Sequence, residues 1–404
     1  MKHRRPVPAS SRALWMLLLF CAFLLAGCWD RKAVEDVGFV TVLGIDQGEG
    51  EALRITVQIG NPRVIAGGRQ GGGGAEGQQA PAMVHTVTGE TLSLALRDLE
   101  TFTNRRISLV QTRVIILGRR LMESGIQKHL GMLVRSREFR RNIQIMVSDG
   151  SAEQVMTTRP TLERDPAVFL EDLSRRAFER TARAPRITLH DFLLAYETLG
   201  EEVIAPIIRP FTVAPGLEQR PEQQSQLSGT ALFRRGTMVG ELSETETETL
   251  LMLRGKTETF VETVPVPTDP GLKSAYRLTG AGRKIRLDVS GPQPRFTIEV
   301  TLEAEALETE SESPALGDPA LIRDREARLA RNLTDKANQL VGKLQTECSC
   351  DALGLGHYLR PRFLDWTSWE KYQWPDRFAN AKVQVTVRVI IRRVGMTFQS
   401  QKAR

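Results

Sequence analysis

The run V-G-F-V-T-V-L-G-I from Val37 to Ile45, followed beyond Q-G-E-G (Gln47 to Gly50) by L-R-I-T-V-Q-I from Leu53 to Ile59, decides the fold of the first half of the chain. In the first stretch Val37, Phe39, Val40, Val42, Leu43 and Ile45 are almost continuously apolar, the pattern of a strand buried on both faces near the centre of a sheet. In the second, Leu53, Ile55, Val57 and Ile59 alternate with Arg54, Thr56 and Gln58, which reads as an antiparallel return strand with one wet face. The two make a hairpin.

Outward from this hairpin, Leu92, Leu96, Leu99 and Phe102 recur at helical spacing, Val114 to Leu117 is a short buried strand, Ile126, Leu130 and Leu133 fit a second helix, and Ile143 to Val147 is another strand. Alternation of this kind packs helices on a mixed sheet. Thr188 with Asp191 three residues on opens a further helix carrying Leu189, Phe192, Leu193, Tyr196 and Leu199, and Gly200 stops it. Pro206, Pro210, Pro215 and the polar run Glu218 to Ser228 then mark a boundary, giving an N-terminal unit of residues 28–214, with two subdomains as an option, and a C-terminal unit of residues 215–404. The glycine-rich stretch Gly67 to Gln79 lacks the Lys-Ser/Thr of a phosphate loop and reads as a flexible loop.

In the second half Ile285, Leu287 and Val289 alternate with polar residues, as do Phe296, Ile298, Val300, Leu302 and Ala304 after the Gly291-Pro292 turn. Asp318 as N-cap and Pro319 at the first helical position open a long helix with Ile322, Leu329, Leu333, Leu340 and Leu344 on its inner face. Val383, Val385, Val387, Val389 and Ile391 form a last alternating strand. The fold class is therefore α/β to α+β: a mixed sheet with packed helices first, then an antiparallel sheet with a long helix.

The first residues carry a different message. Lys2, His3, Arg4 and Arg5 precede an entirely apolar run from Ala13 to Ala26, the order of an export signal rather than of a spanning helix, which needs about 20 apolar residues. Leu25, Ala26, Gly27 and Cys28 form a lipobox, so residues 1–27 are read as a lipoprotein signal peptide and Cys28 as the site of a diacylglyceryl anchor. Two acyl chains hold stably where one is marginal. Four of the seven formal net positive charges, at Lys2, Arg4, Arg5 and Arg12, leave with that signal. A nearly balanced body on the outer face of a membrane gives no reason to expect nucleic acid as a partner.

Catalytic patterns are missing. His3, His85, His129, His190 and His357 are scattered, with no H-E-x-x-H, G-x-S-x-G or C-x-x-C anywhere. His190 beside Asp191 resembles a base with its orienting carboxylate only on paper, because neighbours on a helix point apart. Cys21 leaves with the signal and Cys28 takes the lipid, so Cys348 and Cys350 remain, as free thiols, as a strained bridge, or with His357 as part of a zinc site. The acidic run Glu303, Glu305, Glu308, Glu310, Glu312 lacks the glycine of a calcium loop and reads as a solvated loop. Arg135, Arg137, Arg140 and Arg141 read either as a solvated helix end or as contacts to anionic headgroups. Phe363, Trp366, Trp369, Tyr372, Trp374 and Phe378 concentrate aromatics as core or as interface anchors.

Several segments together resemble the Ger(x)C family, the C-subunit lipoproteins of spore germinant receptors. G-C-W-D-R at Gly27 to Arg31, V-L-G-I-D at Val42 to Asp46 and R-V-I-I-L-G at Arg113 to Gly118 resemble the family's first half. G-T-A-L-F at Gly229 to Phe233, M-V-G-E-L at Met238 to Leu242, D-A-L-G-L-G at Asp351 to Gly356, Trp369 and I-I-R-R-V-G at Ile390 to Gly395 resemble its second. The chain departs from the family pattern in the glycine-rich insertion around Gly71 to Gly74 and at Gln111. The resemblance implies a non-catalytic subunit without cofactors, working beside two integral membrane subunits on the spore inner membrane in nutrient sensing. The other reading is a lipid-anchored solute-binding protein serving a transporter, which requires two similar lobes around a cleft.

Overall fold

A computed structural model describes residues 36–60, 82–158, 163, 165–213, 222–266, 269–309 and 319–393, with Met16. Cys28 and its lipobox, Gly67 to Gln79, Asp318 and Pro215 to Glu218 lie outside the described residues. In chain order the elements are β1 (Val37–Gln47), β2 (Leu53–Gly60), β3 (Ala82–Gly89), α1 (Leu92–Glu100), β4 (Arg106–Ser108), β5 (Val114–Gly118), α2 (Arg119–Ser124), α3 (Leu130–Arg135), β6 (Gln144–Ser148), α4 (Ala152–Met156), α5 (Pro166–Thr181), α6 (Leu189–Glu197), β7 (Ile204–Val213), β8 (Glu222–Arg234), β9 (Thr237–Leu242), α7 (Glu244–Arg254), β10 (Thr259–Val266), β11 (Asp269–Asp288), β12 (Arg295–Thr309), α8 (Pro319–Thr346), α9 (Gly356–Leu359), α10 (Trp366–Tyr372), α11 (Trp374–Arg377) and β13 (Lys382–Arg393).

Among the described residues the strands form two sheets. The first runs β3-β2-β1-β5-β6-β7-β8-β9, with β4 added beside β1. Its centre, β1, β5, β6 and β7, is parallel, and antiparallel hairpins flank it on both sides. Helices cover both faces: Leu43, Ile45, Ile115 and Leu117 pack with α1, α2 and α6, while Val42, Val114 and Ile116 pack with Ala152 and Met156 of α4 and Leu170 of α5. This double cover is why β1 and β5 read as unbroken apolar runs.

V-L-G-I-D has a direct structural reason. A Cβ on Gly44 would lie 2.7 Å from the Met156 sulfur and 2.9 Å from the Ala152 Cβ, so only glycine lets α4 sit against β1. Asp46, two residues on, accepts the N–H groups of Ala152 (2.8 Å) and Glu153 (3.3 Å) at the start of that helix. The glycine of R-V-I-I-L-G makes room for the same carboxylate, since a Cβ on Gly118 would fall 2.0 Å from the Asp46 Oδ1.

One expectation is corrected here. The β2 strand has no wet face: Thr56 and Gln58 are buried, Thr56 hydroxyl against Thr86 (3.1 Å) on β3 and the Gln58 amide donating to the Thr41 hydroxyl (3.4 Å), and only Arg54 reaches solvent. Alternation marked polar residues there, but their partners came from neighbouring strands. The first sheet runs on past residue 214, where β7 pairs with β8 from Ile204↔Leu232 to Val213↔Glu222, and β9 follows.

The second sheet runs β10-β11-β12-β13, antiparallel through β12, with β13 parallel to β12. A parallel neighbour requires a crossover, and α8 supplies it. Leu329, Leu333, Ala337, Leu340 and Leu344 face the sheet along one side of this helix, against Val385, Val387 and Val389. Glu303 and Glu305 belong to β12 and not to a loop: they alternate with buried Leu302, Ala304 and Ala306 and pair across the surface with Arg392 (3.1 Å) and Arg277 (3.0 Å).

Candidate functional site at the junction of the sheets

Residues 199–203 between α6 and β7, the turn at Arg235 and Gly236, and the stretch 350–374 after α8 converge where the two halves meet. Backbone lies on backbone there: a Cβ on Gly356 would sit 2.5 Å from the Gly200 Cα and 2.6 Å from the Trp374 ring. This contact demands the final glycine of D-A-L-G-L-G. Gly354 within the same motif takes φ +71°, a region that a Cβ disfavours.

Asp351, 1% exposed, organises the motif. Its Oδ1 accepts the Leu355 N–H (3.1 Å), and its Oδ2 accepts the Gly356 N–H (2.9 Å) and the Trp374 Nε1–H (2.8 Å). Burial raises this carboxyl above its ordinary range, and the three donors act against the rise. The Asp351 carbonyl also takes the Glu202 N–H at 3.2 Å, tying the second half to the first.

Glu201 and Glu202 are neighbours in sequence with opposite electrostatics. Burial would lift Glu201, but the His357 Nε2 at 2.8 Å and the Arg254 guanidinium outweigh it and hold the carboxyl at about 2. The same hydrogen bond raises His357 above its ordinary value. Arg254 is further fixed by donating to the Ala352 carbonyl (2.6 Å). Glu202 receives the Arg235 N–H (2.9 Å) but no side-chain partner among the described residues, so burial pushes it up to about 7.

A cavity of about 340 Å³ opens beside Glu202, bounded by Tyr196, Arg235, Asp351, Trp369 and Trp374. Both indole N–H groups are committed, Trp369 to the Leu199 carbonyl and Trp374 to Asp351. Polar groups in this cluster therefore hold backbone or each other. The nearest thiol, Cys350, is fully buried and its pKa is pushed well up by burial and then by Glu202 and Asp351, the reverse of an activated thiolate.

Several sequence candidates resolve here. Cys348 and Cys350 are free and buried, and His357 turns to Glu201 instead of joining them. Among the described residues no three His, Cys, Asp or Glu side chains group to hold a metal ion. Trp369, Trp374 and Phe378 are core, Phe363 and Tyr372 pack on Trp369 with centroids 5.2 and 6.0 Å away, and Trp366 stays 45% exposed. His190 is exposed, while Asp191 accepts the Thr188 N–H (3.0 Å) in a capping box. Arg135, Arg137, Arg140 and Arg141 are all exposed. Glu201, Glu202 and Arg254 escaped the sequence reading. The signal of the first two was an acidic pair wedged between Gly200 and the apolar Val203-Ile204.

The motifs now placed in the fold are shared with known proteins. The profile of the family described as "Spore germination protein N-terminal domain" matches residues 30–210, and that of "Spore germination B3/ GerAC like, C-terminal" matches residues 228–395. The chain belongs to the Ger(x)C family. This Ger(x)C chain is 24% identical over 400 residues to spore germination protein KC of Bacillus subtilis (strain 168), covering 95% of the chain and 96% of that relative. Against spore germination protein GerQC of Bacillus cereus it is 22% identical over 386 residues, covering 95% and 99%. The crystal structure of the GerBC protein shares the fold at a TM-score of 0.54 and 19% identity, over 87% of this chain and 96% of that one. The two Ger(x)C profiles part between residues 210 and 228, where β7 hands over to β8 within one sheet.

Proposed function

We propose that this chain is the lipid-anchored, non-catalytic C subunit of a nutrient germinant receptor, required for spore germination. The observation that carries this is the ordered match of both Ger(x)C domains, to relatives named as spore germination proteins, across nearly the whole chain. The anchor rests on Leu25 to Cys28 behind a basic and apolar leader. It accords with the fact that no helix among the described residues is long and apolar enough to cross a membrane. The non-catalytic role is supported by a junction whose carboxylates, imidazole and indoles are spent on holding the two halves together. In this reading residues 28–214 and 215–404 are two family units bound by a shared sheet, and they work beside two integral membrane subunits on the outer face of the spore inner membrane.

Spores lacking the chain test it. They are expected to assemble and stay dormant normally, to lose or weaken the response to one class of nutrient, and to keep responses that bypass the receptors. Deletion spores that answer every nutrient as the parent does, with no parallel receptor present, refute the proposal.

A further inference from the structure

Strands β1, β5 and β6 are parallel, so their amino ends share one edge of the first sheet. Arginines gather on that edge. Arg106 pairs in register with Val37 at the start of β1, Arg105 precedes it, and Arg140 and Arg141 lead into the start of β6. Arg135 and Arg137 are drawn to the same place by Glu138, whose carboxylate accepts the Leu109 N–H (2.6 Å) and the Ser108 hydroxyl (3.2 Å) at the end of β4. We infer that this edge is the face the protein turns to the membrane, its arginines meeting anionic phospholipid headgroups.

One arginine on this edge, Arg113 just before β5, pairs with Glu171 (2.9 Å), and the others lack such a partner. None of Arg105, Arg106, Arg135, Arg137, Arg140 and Arg141 has a carboxylate within ion-pair distance among the described residues, and all but Arg105 are exposed. Two nearby acids are used on backbone, Glu138 as above and Glu100 on the Ile107 N–H (2.8 Å), and Asp36 just before β1 makes no ion pair with these arginines. At the opposite edge, the carboxyl ends of the same strands, Arg119 pairs with Asp149 (2.6 Å) and Glu241 (2.5 Å), and Arg209 of neighbouring β7 pairs with Asp149 (3.5 Å), while exposed Arg120 has no carboxylate within ion-pair distance among the described residues. Exposed Val110 and Val134 stand among the free arginines, offering apolar surface for an interface.

Chain length selects the occupant. The inference rests on the proposed lipid at Cys28, which lies eight residues before Asp36, where the described body begins at this edge. Eight residues span at most about 28 Å. The tether therefore keeps the arginine edge within about 28 Å of the headgroups. Each arginine at an anionic surface contributes about 1 kcal/mol, about a fivefold factor, so several together set the orientation of a tethered body.

The test uses the full-length lipoprotein purified from membranes, with a fluorophore on Val134→Cys, in vesicles of phosphatidylcholine with or without phosphatidylglycerol and a nitroxide lipid quencher in the headgroup layer. Cys348 and Cys350 are buried and spared. A label at Leu364, fully exposed on the C-terminal half, is the control. The expected result is quenching at position 134 that rises roughly twofold or more with phosphatidylglycerol. High salt and the combined Arg135→Gln, Arg137→Gln, Arg140→Gln, Arg141→Gln variant abolish that rise, with the Leu364 label unmoved and thermal unfolding unchanged. If Cys28 carries lipid by mass spectrometry but the position 134 label responds equally to both vesicles, the membrane face is overturned, the arginines belong to a protein contact, and the anchor stands. A full-length chain without lipid on Cys28 that leaves the vesicles overturns both.

Discussion

In β5 of the first sheet Val114, Ile115, Ile116 and Leu117 are all buried, whereas in β12 of the second Leu302 and Ala304 are buried and Thr301, Glu303 and Glu305 between and beside them are not. The first sheet lies between two layers of helices, and the second has α8 on one face and solvent on the other. The two sheets therefore differ in how much of their side-chain set is under packing constraint. In the first, glycines are fixed by close contacts, Gly44 by the helix α4 and Gly118 by the Asp46 carboxylate. In the second, every other residue is free to vary provided it is soluble.

Core truncation probes this difference most strongly. Ile115→Ala and Ile116→Ala, on opposite faces of β5, are each expected to cost about 2–5 kcal/mol in denaturant unfolding. In β12 Leu302→Ala should cost about as much, but Glu303→Ala, next to it, should stay within about 0.5 kcal/mol. A cheap Ile116→Ala with a costly Ile115→Ala would mean that the α4 and α5 layer contributes little, and the contrast would collapse. Gly44→Val comes next, at about 1–3 kcal/mol, because its side chain must enter space held by Met156 and Ala152. The same change at Gly282 in β11, where an added Cβ meets nothing within 4 Å, should cost distinctly less.

The junction between the sheets offers a smaller effect, read through pH. Glu202 and Glu248 are both lifted by burial to about 7 from an ordinary 4.5. The folded state then holds more protons than the unfolded one across that window. Stability falls as pH rises from about 4.5 to about 7 and levels off above it. Glu201 works the other way: its folded value of about 2 gives stability present above about 4.5 and lost as pH drops toward 2. Urea unfolding of Glu202→Gln at about pH 5 and about pH 7.5 should show a shallower decline than the parent, by at most about 1.4 kcal/mol per pH unit. An unchanged slope would show that Glu202 is ionised in the fold. Smallest of all, Arg286→Ala removes an exposed pair with Glu299 (3.1 Å) and should change stability by less than about 1 kcal/mol.

How legible each region was follows the same contrast. The one-sided sheet was plain in sequence because its period of two survives: Ile285 pairs with Ile298 and Leu287 with Phe296 as the alternation required, and the long helix begins at Pro319. The two-sided sheet was legible at β1, β5 and β6, whose apolar runs are unbroken. It misled at β2, where Thr56 and Gln58 look wet, and at β7 to β9, where prolines and polar residues hid strands that complete the sheet. The aromatic cluster was visible as a cluster, but the carboxylates it surrounds were not.

By itself the sequence determined what depends on near neighbours. The periodicity of β1, β12 and β13, the capping box at Thr188, the L-A-G-C run ending at Cys28 and the motif words of the Ger(x)C family are each written within a few residues. Tertiary structure alone decided what depends on distant ones. Glu201 meets His357 across 156 positions in the chain, and Trp369 closes on Leu199 across 170. Adjacent glutamates are held at about 2 and about 7 because one meets Arg254 and His357 while the other is buried with, among the described residues, only the Arg235 N–H as its hydrogen-bond donor. A carboxylate's state is set by the dielectric and charge within a few ångströms of it, and in this protein the groups that supply them come from the far end of the chain.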